Sequence, residues 1–155
     1  MSKIYMYSDP HFGHHNLAIN RGFKDSDEMD EHIITNWNKV INKRDVVWIL
    51  GDITMEKNNY GILDRLNGLK NVVLGNHDRP QHIISLMEHV NKVCGAIRLK
   101  ECILTHVPIH PAELRGFKYN IHGHVHGNTI DHPRYINVSC DVLGYTPVLL
   151  EEIIK

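Results

Sequence analysis

Five short polar blocks, each standing where an apolar run stops, constrain the fold of this chain more than anything else in its sequence. Asp9-Pro10-His11 follows an apolar run over residues 3–8, and Gly51-Asp52 follows one over 46–50. Gly75-Asn76-His77-Asp78 follows residues 72–74, and His106 follows residues 102–105. Gly123-His124-Val125-His126 sits after a shorter run, residues 120–122. Such runs predict β-strands. Strand ends in an α/β fold converge on one sheet edge, so blocks scattered from residue 9 to residue 126 are predicted to meet there.

The elements between the blocks support this architecture. A polar loop is expected from Asp9 to about Arg21. Asp25 with Glu28 resembles a capping box, and Met29, Ile33, Trp37, Val40 and Ile41 then recur at helical spacing. Residues 46–50 (Val-Val-Trp-Ile-Leu) are apolar without interruption, as a strand buried on both faces requires. Tyr60, Leu63, Leu66 and Leu69 suggest a second helix, and Pro80 stands where a first-turn proline would open another. Strands and helices thus alternate in the first half, which argues for right-handed βαβ crossovers and a parallel core. In the second half, residues 96–99, 102–105, 120–122, 135–138 and 148–151 are short strand candidates with few helical signals between them. The predicted fold is α/β: two stacked mixed β-sheets flanked by helices, in one domain spanning residues 1–155.

Charge and cysteine content narrow the setting. With 17 basic and 18 acidic residues the formal net charge is −1, which offers no long-range attraction to nucleic acid or to an anionic membrane. Cys94, Cys102 and Cys140 form no Cys-x-x-Cys pair, so a disulfide framework or a thiolate zinc site is not expected. A reducing, cytoplasmic location fits that usage. No signal segment is read at the first strand, and no apolar run reaches membrane-spanning length.

Thirteen histidines are the compositional outlier. His32 and His82 read as helix-surface residues, and Pro108 and Pro111 make His110 a loop residue rather than a helical partner of His106. The blocks themselves supply two aspartates, one asparagine and four histidines. That is the number and type of donor needed to hold two divalent cations sharing one carboxylate.

The order Asp-x-His, Gly-Asp, Gly-Asn-His-Asp, a lone His and Gly-His-x-His resembles the calcineurin-like metallophosphoesterase superfamily, whose pattern appears here complete. The resemblance implies the four-layer sandwich of that family. It also implies that Asp9, His11, Asp52 and His126 hold one metal, and that Asp52, Asn76, His106 and His124 hold the other. Without thiolates, such a site favours Mn, Fe or Zn ions. His77 is implied as the catalytic residue, a non-ligand facing the substrate. A metal-bridging hydroxide is the implied nucleophile.

The longer match His11-Phe12-Gly13-His14-His15-Asn16, with Thr105-His106-Val107-Pro108, resembles the compact bacterial and phage branch. His14 and Asn16 are accordingly candidates for substrate contact, with loop-stabilising hydrogen bonds as the alternative. Gly51-Asp52 is followed by Ile53-Thr54-Met55-Glu56, which lacks the Asp-Arg-Gly of the protein phosphatases. The aspartate that would pair with His77 is therefore missing. The expected function is hydrolysis of a phosphodiester or nucleotide-type substrate. The alternatives are a phosphomonoesterase of the same fold or a silent protein-binding scaffold. A nucleic-acid substrate is possible but disfavoured by the net charge.

The remaining residues have plainer readings. Arg21, Arg79 and Arg115 read as solvated charges. Trp37, Trp48 and the cysteines read as core, and Asp78 as a cap for the following helix.

Overall fold

The structure, a computed structural model, describes residues 1–55 and 59–155, so Glu56 lies outside the described residues. One sheet is built from β1 (Ile4–Tyr7), β2 (Val46–Ile49), β3 (Leu69–Val73), β4 (Lys92–Cys94) and β9 (Val148–Leu149), in the order β4-β3-β2-β1-β9. Its first four strands are parallel, and β9 closes the edge antiparallel to β1. The other sheet has the order β5-β6-β7-β8, from β5 (Ile97–Leu99), β6 (Cys102–Leu104), β7 (Tyr119–His122) and β8 (Tyr135–Asn137). Only its β5–β6 pair is antiparallel.

Side-chain alternation explains the apolar runs. From β1, Tyr5 and Tyr7 enter one buried cluster with Met29, Ile33 and Trp37 of α2 (Ser26–Val40). Met6, between them, enters a second cluster with Cys102, Leu104, Ile121 and Val138 of the other sheet. In β2 the same division sends Val47 and Ile49 toward the helix and Trp48 between the sheets. Both faces of these strands are therefore covered, which forbids the polar alternation of a half-exposed strand. The outer face of the second sheet carries Asn120 and His122, both fully buried. Asn120 is held by hydrogen bonds to the Ile109 amide, the Ile103 carbonyl and the Thr105 hydroxyl.

At the start of α2, the Asp25 carboxylate accepts from the Glu28 amide at 2.8 Å, and Glu28 reaches back to the Lys24 amide at 2.6 Å. The reciprocal bond thus goes one residue ahead of the cap. Trp37 anchors the same helix. It is fully buried, packs edge-on against Tyr7 at 5.5 Å between ring centroids, and donates from Nε1 to the Asn67 carbonyl at 2.9 Å. Trp37→Ala is expected to lower unfolding stability by about 3–5 kcal/mol, measured by chemical denaturation.

Several elements differ from the sequence expectation. The second helix is a 3-10 turn over Tyr60–Arg65, and Leu69 belongs to β3. Leu66, in extended backbone, ends the turn; beyond Gly68 at φ +92° the Leu69 amide donates to the Asp45 carbonyl, which starts parallel pairing with β2. Pro80 opens only a 3-10 turn, Pro80–His82, that runs into the short α3 (Ile83–Met87). The loop after β1 contains a short helix, α1 (His15–Asn20), and the last strand gives way to α4 (Leu150–Ile153). Among the described residues no helix is long and apolar enough to cross a membrane.

Candidate metal centre

The sheets meet at their carboxyl ends, where Ser8 after β1 bridges to Ser139 after β8. All five blocks lie on that edge. Asp9, His11, Asp52, His124 and His126 have φ between +48° and +71°. Left-handed backbone is uncommon for residues with side chains and costs free energy, so its concentration here marks a region held by its surroundings. Close approach also fixes two glycines: a Cβ on Gly75 would collide with Asp52 Oδ1, and one on Gly123 with Ser8 Oγ and Asp9 Oδ2.

Two clusters result: Asp9, His11 and His126 in one, and Asp52, His106 and His124 in the other. In the first, His11 Nε2 lies 3.6 Å from Asp9 Oδ1 and 3.6 Å from Asp52 Oδ2, and His126 Nε2 lies 3.9 Å from Asp9 Oδ1. In the second, His106 Nε2 lies 3.2 Å from Asp52 Oδ2. Asn76 Oδ1 sits 2.9 Å from His106 Nε2 and 3.0 Å from His124 Nδ1. Asp52 Oδ2 thus faces both clusters.

The two carboxylates are wired alike. Asp9 Oδ2 accepts from the Ser8 hydroxyl at 2.6 Å, the His124 amide at 2.8 Å and the Ser139 hydroxyl at 3.2 Å. Its other oxygen, Oδ1, is buried with no hydrogen-bond partner, as are both ring nitrogens of His11. Asp52 Oδ1 accepts from the His77 amide at 2.9 Å, which leaves Oδ2 for the clusters. Buried polar atoms without partners are costly, and Asp9 Oδ1 and His11 Nε2, 3.6 Å apart, are placed so that one cation could satisfy both. His106 Nδ1 meets the Leu50 carbonyl at 2.6 Å. A carbonyl only accepts, so that nitrogen carries the proton and Nε2 presents a lone pair inward. The residues present therefore fit two divalent cations.

Electrostatics agree with this wiring. Burial pushes the Asp9 carboxyl up, but His11, the Ser8 hydroxyl, His106 and the His124 amide outweigh it and hold the pKa at about 2. Burial also opposes charge on His106, yet the neighbouring Asp52 and Asp9 carboxylates raise its pKa. The region attracts positive charge, which a metal ion would satisfy in place of a proton.

His77 stands at the exposed rim, with its ring centroid 5.6 Å from that of His11. Among the described residues no carboxylate pairs with its ring. His14 serves as the N-cap of α1, its Nδ1 accepting from the Leu17 amide at 3.3 Å, with its ring 6.0 Å from that of His11. Asn16 is exposed in the first turn of α1, and no hydrogen bond among the described residues ties it to the clusters. Arg79 and Arg115 are exposed.

Two expectations need correction. Asp78 does not cap the next helix. Its Oδ2 accepts from the amides of Asp52 at 2.8 Å and Gly75 at 2.7 Å, and its Oδ1 from that of Ile53 at 3.2 Å. Two ligand-bearing loops need an acceptor between them, and this carboxylate supplies it. Arg21 is not a solvated charge: its side chain is 3% exposed and paired with Asp141. Asp141 escaped the sequence reading altogether, although it stands just beyond a predicted strand, the position that flagged the other blocks.

Comparison with known proteins places this edge in context. No family model matches the chain. Protein MJ1445 of Methanocaldococcus jannaschii, which is uncharacterized, is 34% identical over all of this chain and 91% of its own length. The Gene 66 protein of Mycobacterium phage D29 is 30% identical, over 91% of this chain and 89% of its own. Among solved structures, AQ665 of Aquifex aeolicus, of unknown function, superposes with a TM-score of 0.80 at 28% identity, covering 99% of this chain and 98% of its own. The Pseudomonas putida nuclease MPE gives 0.54 at 22% identity over 79% and 61% of the two chains. An archaeal phosphodiesterase gives 0.53 at 17% over 90% and 85%. Its fold is shared with AQ665, nuclease MPE and the archaeal phosphodiesterase, and the chain belongs to one family with the Methanocaldococcus and mycobacteriophage proteins.

Proposed function

We propose that this chain is a single-domain, dinuclear-metal-dependent phosphoesterase of the compact bacterial and phage branch, acting on a phosphodiester or nucleotide-type substrate. One observation carries the reading: Asp52 has one oxygen fixed by the His77 amide and the other aimed at both donor clusters. Asp9, His11, Asp52 and His126 would hold one cation, and Asp52, Asn76, His106 and His124 the other. With no thiolate among these donors, Mn, Fe or Zn is the expected metal. Two such cations supply Lewis acidity toward a phosphoryl oxygen and lower the pKa of bound water.

The chain's own groups do the rest. Asn76 contributes a neutral oxygen, so the site does not accumulate negative charge against an anionic substrate. The His77 imidazole, at the rim, is placed to donate a proton to the leaving oxygen or a hydrogen bond to the phosphoryl group. His14, fixed as a helix cap beside His11, would face the substrate from the first loop. Both Asn76 and His77 are exposed, which leaves the edge open to an ester with groups on two sides. A net charge of −1 favours a small diester or nucleotide over a polymer.

Nuclease MPE and the archaeal phosphodiesterase, which share the fold, support phosphodiester chemistry. With Mn²⁺ present, the protein is expected to cleave bis(p-nitrophenyl) phosphate with higher kcat/KM than p-nitrophenyl phosphate. The reverse order would favour a phosphomonoesterase, and no turnover with any of the three metals would favour a scaffold.

A further inference from the structure

Arg21 and Asp141 lie outside the donor set, yet between them they contact every segment that builds the first cluster. The Arg21 guanidinium donates from Nε to Asp141 Oδ1 at 2.9 Å and from Nη2 to Asp141 Oδ2 at 2.9 Å, a two-pronged pair. The same group donates from Nη2 to the Asp9 carbonyl at 2.9 Å and from Nη1 to the Pro10 carbonyl at 3.0 Å. These carbonyls belong to the stretch between the left-handed residues Asp9 and His11. Asp141 Oδ2 in turn meets His126 Nδ1 at 3.0 Å. A carboxylate there accepts a hydrogen bond from Nδ1–H, so the proton stays on Nδ1 and Nε2 keeps its lone pair toward Asp9 Oδ1. Arg21 is nearly fully buried, and a planar guanidinium fills this four-contact role as no other side chain can. The second cluster is supported differently: Asp78 holds main-chain amides there and not a ligand ring, His106 is held by a main-chain carbonyl, and among the described residues no carboxylate from outside the donor set meets a ring nitrogen of His124.

We infer that Arg21 and Asp141 are positioning residues that hold Asp9, His11 and His126 together, and so set the metal affinity of the first cluster alone. This rests on the two-cation reading above. The test is calorimetric titration of the metal-free protein with Mn²⁺ in two backgrounds. His124→Ala leaves the first cluster intact, and His126→Ala leaves the second. Adding Asp141→Asn, which keeps the shape of the side chain, is expected to weaken Mn²⁺ binding about 10–100-fold in the His124→Ala background. In the His126→Ala background it should change binding less than about twofold, within the scatter expected of uncoupled sites.

Arg21→Lys should give the same selective loss, because a point charge cannot serve four acceptors, and it provides a second variant should Asp141→Asn fold poorly. Unchanged affinity in the His124→Ala background overturns the inference. Equal loss in both backgrounds does so too, since it would mean a general structural role. A wild-type protein that takes up fewer than two ions refutes the dinuclear centre itself, before any substitution is made, and the clamp with it.

Discussion

Asp52→Asn is expected to abolish stoichiometric uptake of both cations, whereas Asp9→Asn should abolish only one. The reason is the division of labour between the two oxygens of Asp52. Oδ1 accepts from the His77 amide, and an asparagine oxygen preserves that bond. Oδ2 faces His11 Nε2 at 3.6 Å and His106 Nε2 at 3.2 Å, so an amide group there would point its hydrogens at both cation positions. Asp9 touches only the first cluster through its partnerless oxygen. Metal analysis of the purified variants by plasma mass spectrometry distinguishes the two outcomes. Hydrolysis should fall with Asp52→Asn by at least about 10³-fold, more than a single lost transition-state donor costs. One full equivalent of metal retained by Asp52→Asn would mean that the clusters do not share a carboxylate.

The second large effect concerns His77. His77→Ala should lower kcat about 10²–10⁴-fold, the usual range for a lost general acid, with metal content unchanged. The separation is possible because His77 supports the centre through its backbone and not its ring. Its amide holds Asp52 Oδ1, and alanine keeps that amide. The ring stands exposed beside His11 and belongs to neither donor cluster. Loss of metal in parallel with activity would instead make His77 a residue that orients a ligand. With no carboxylate partner among the described residues, its ring is oriented only from the backbone and by its neighbours at the rim.

Much of the fold is legible in the sequence. The continuous apolar residues 46–50 predicted a strand covered on both faces, and Val47, Trp48 and Ile49 divide between two cores as that requires. Asp25 and Glu28 marked the start of α2 because capping is a local interaction across three residues. The seven candidate donors share one sequence signal: each block opens directly after a predicted strand, and parallel topology brings strand ends together. Tyr60, Leu63 and Leu66 recur as in an α-helix, but a six-residue turn that ends at Leu66 is too short to choose α over 3-10 from its own pattern. Leu69 joined β3 because β2 offered it a pairing partner, which no local pattern encodes.

The sequence by itself determined which residue types could gather at the edge, since strand alternation and motif order are properties of neighbours along the chain. Tertiary structure alone decided how they are held. The Asp78 carboxylate faces the Asp52 and Gly75 amides instead of a helix end, and Arg21 is buried against Asp141, 120 positions away. Those pairings arise because two sheets, packed through one core, close their loops on each other, and a buried charge in such a junction must take whichever partner the packing brings within reach.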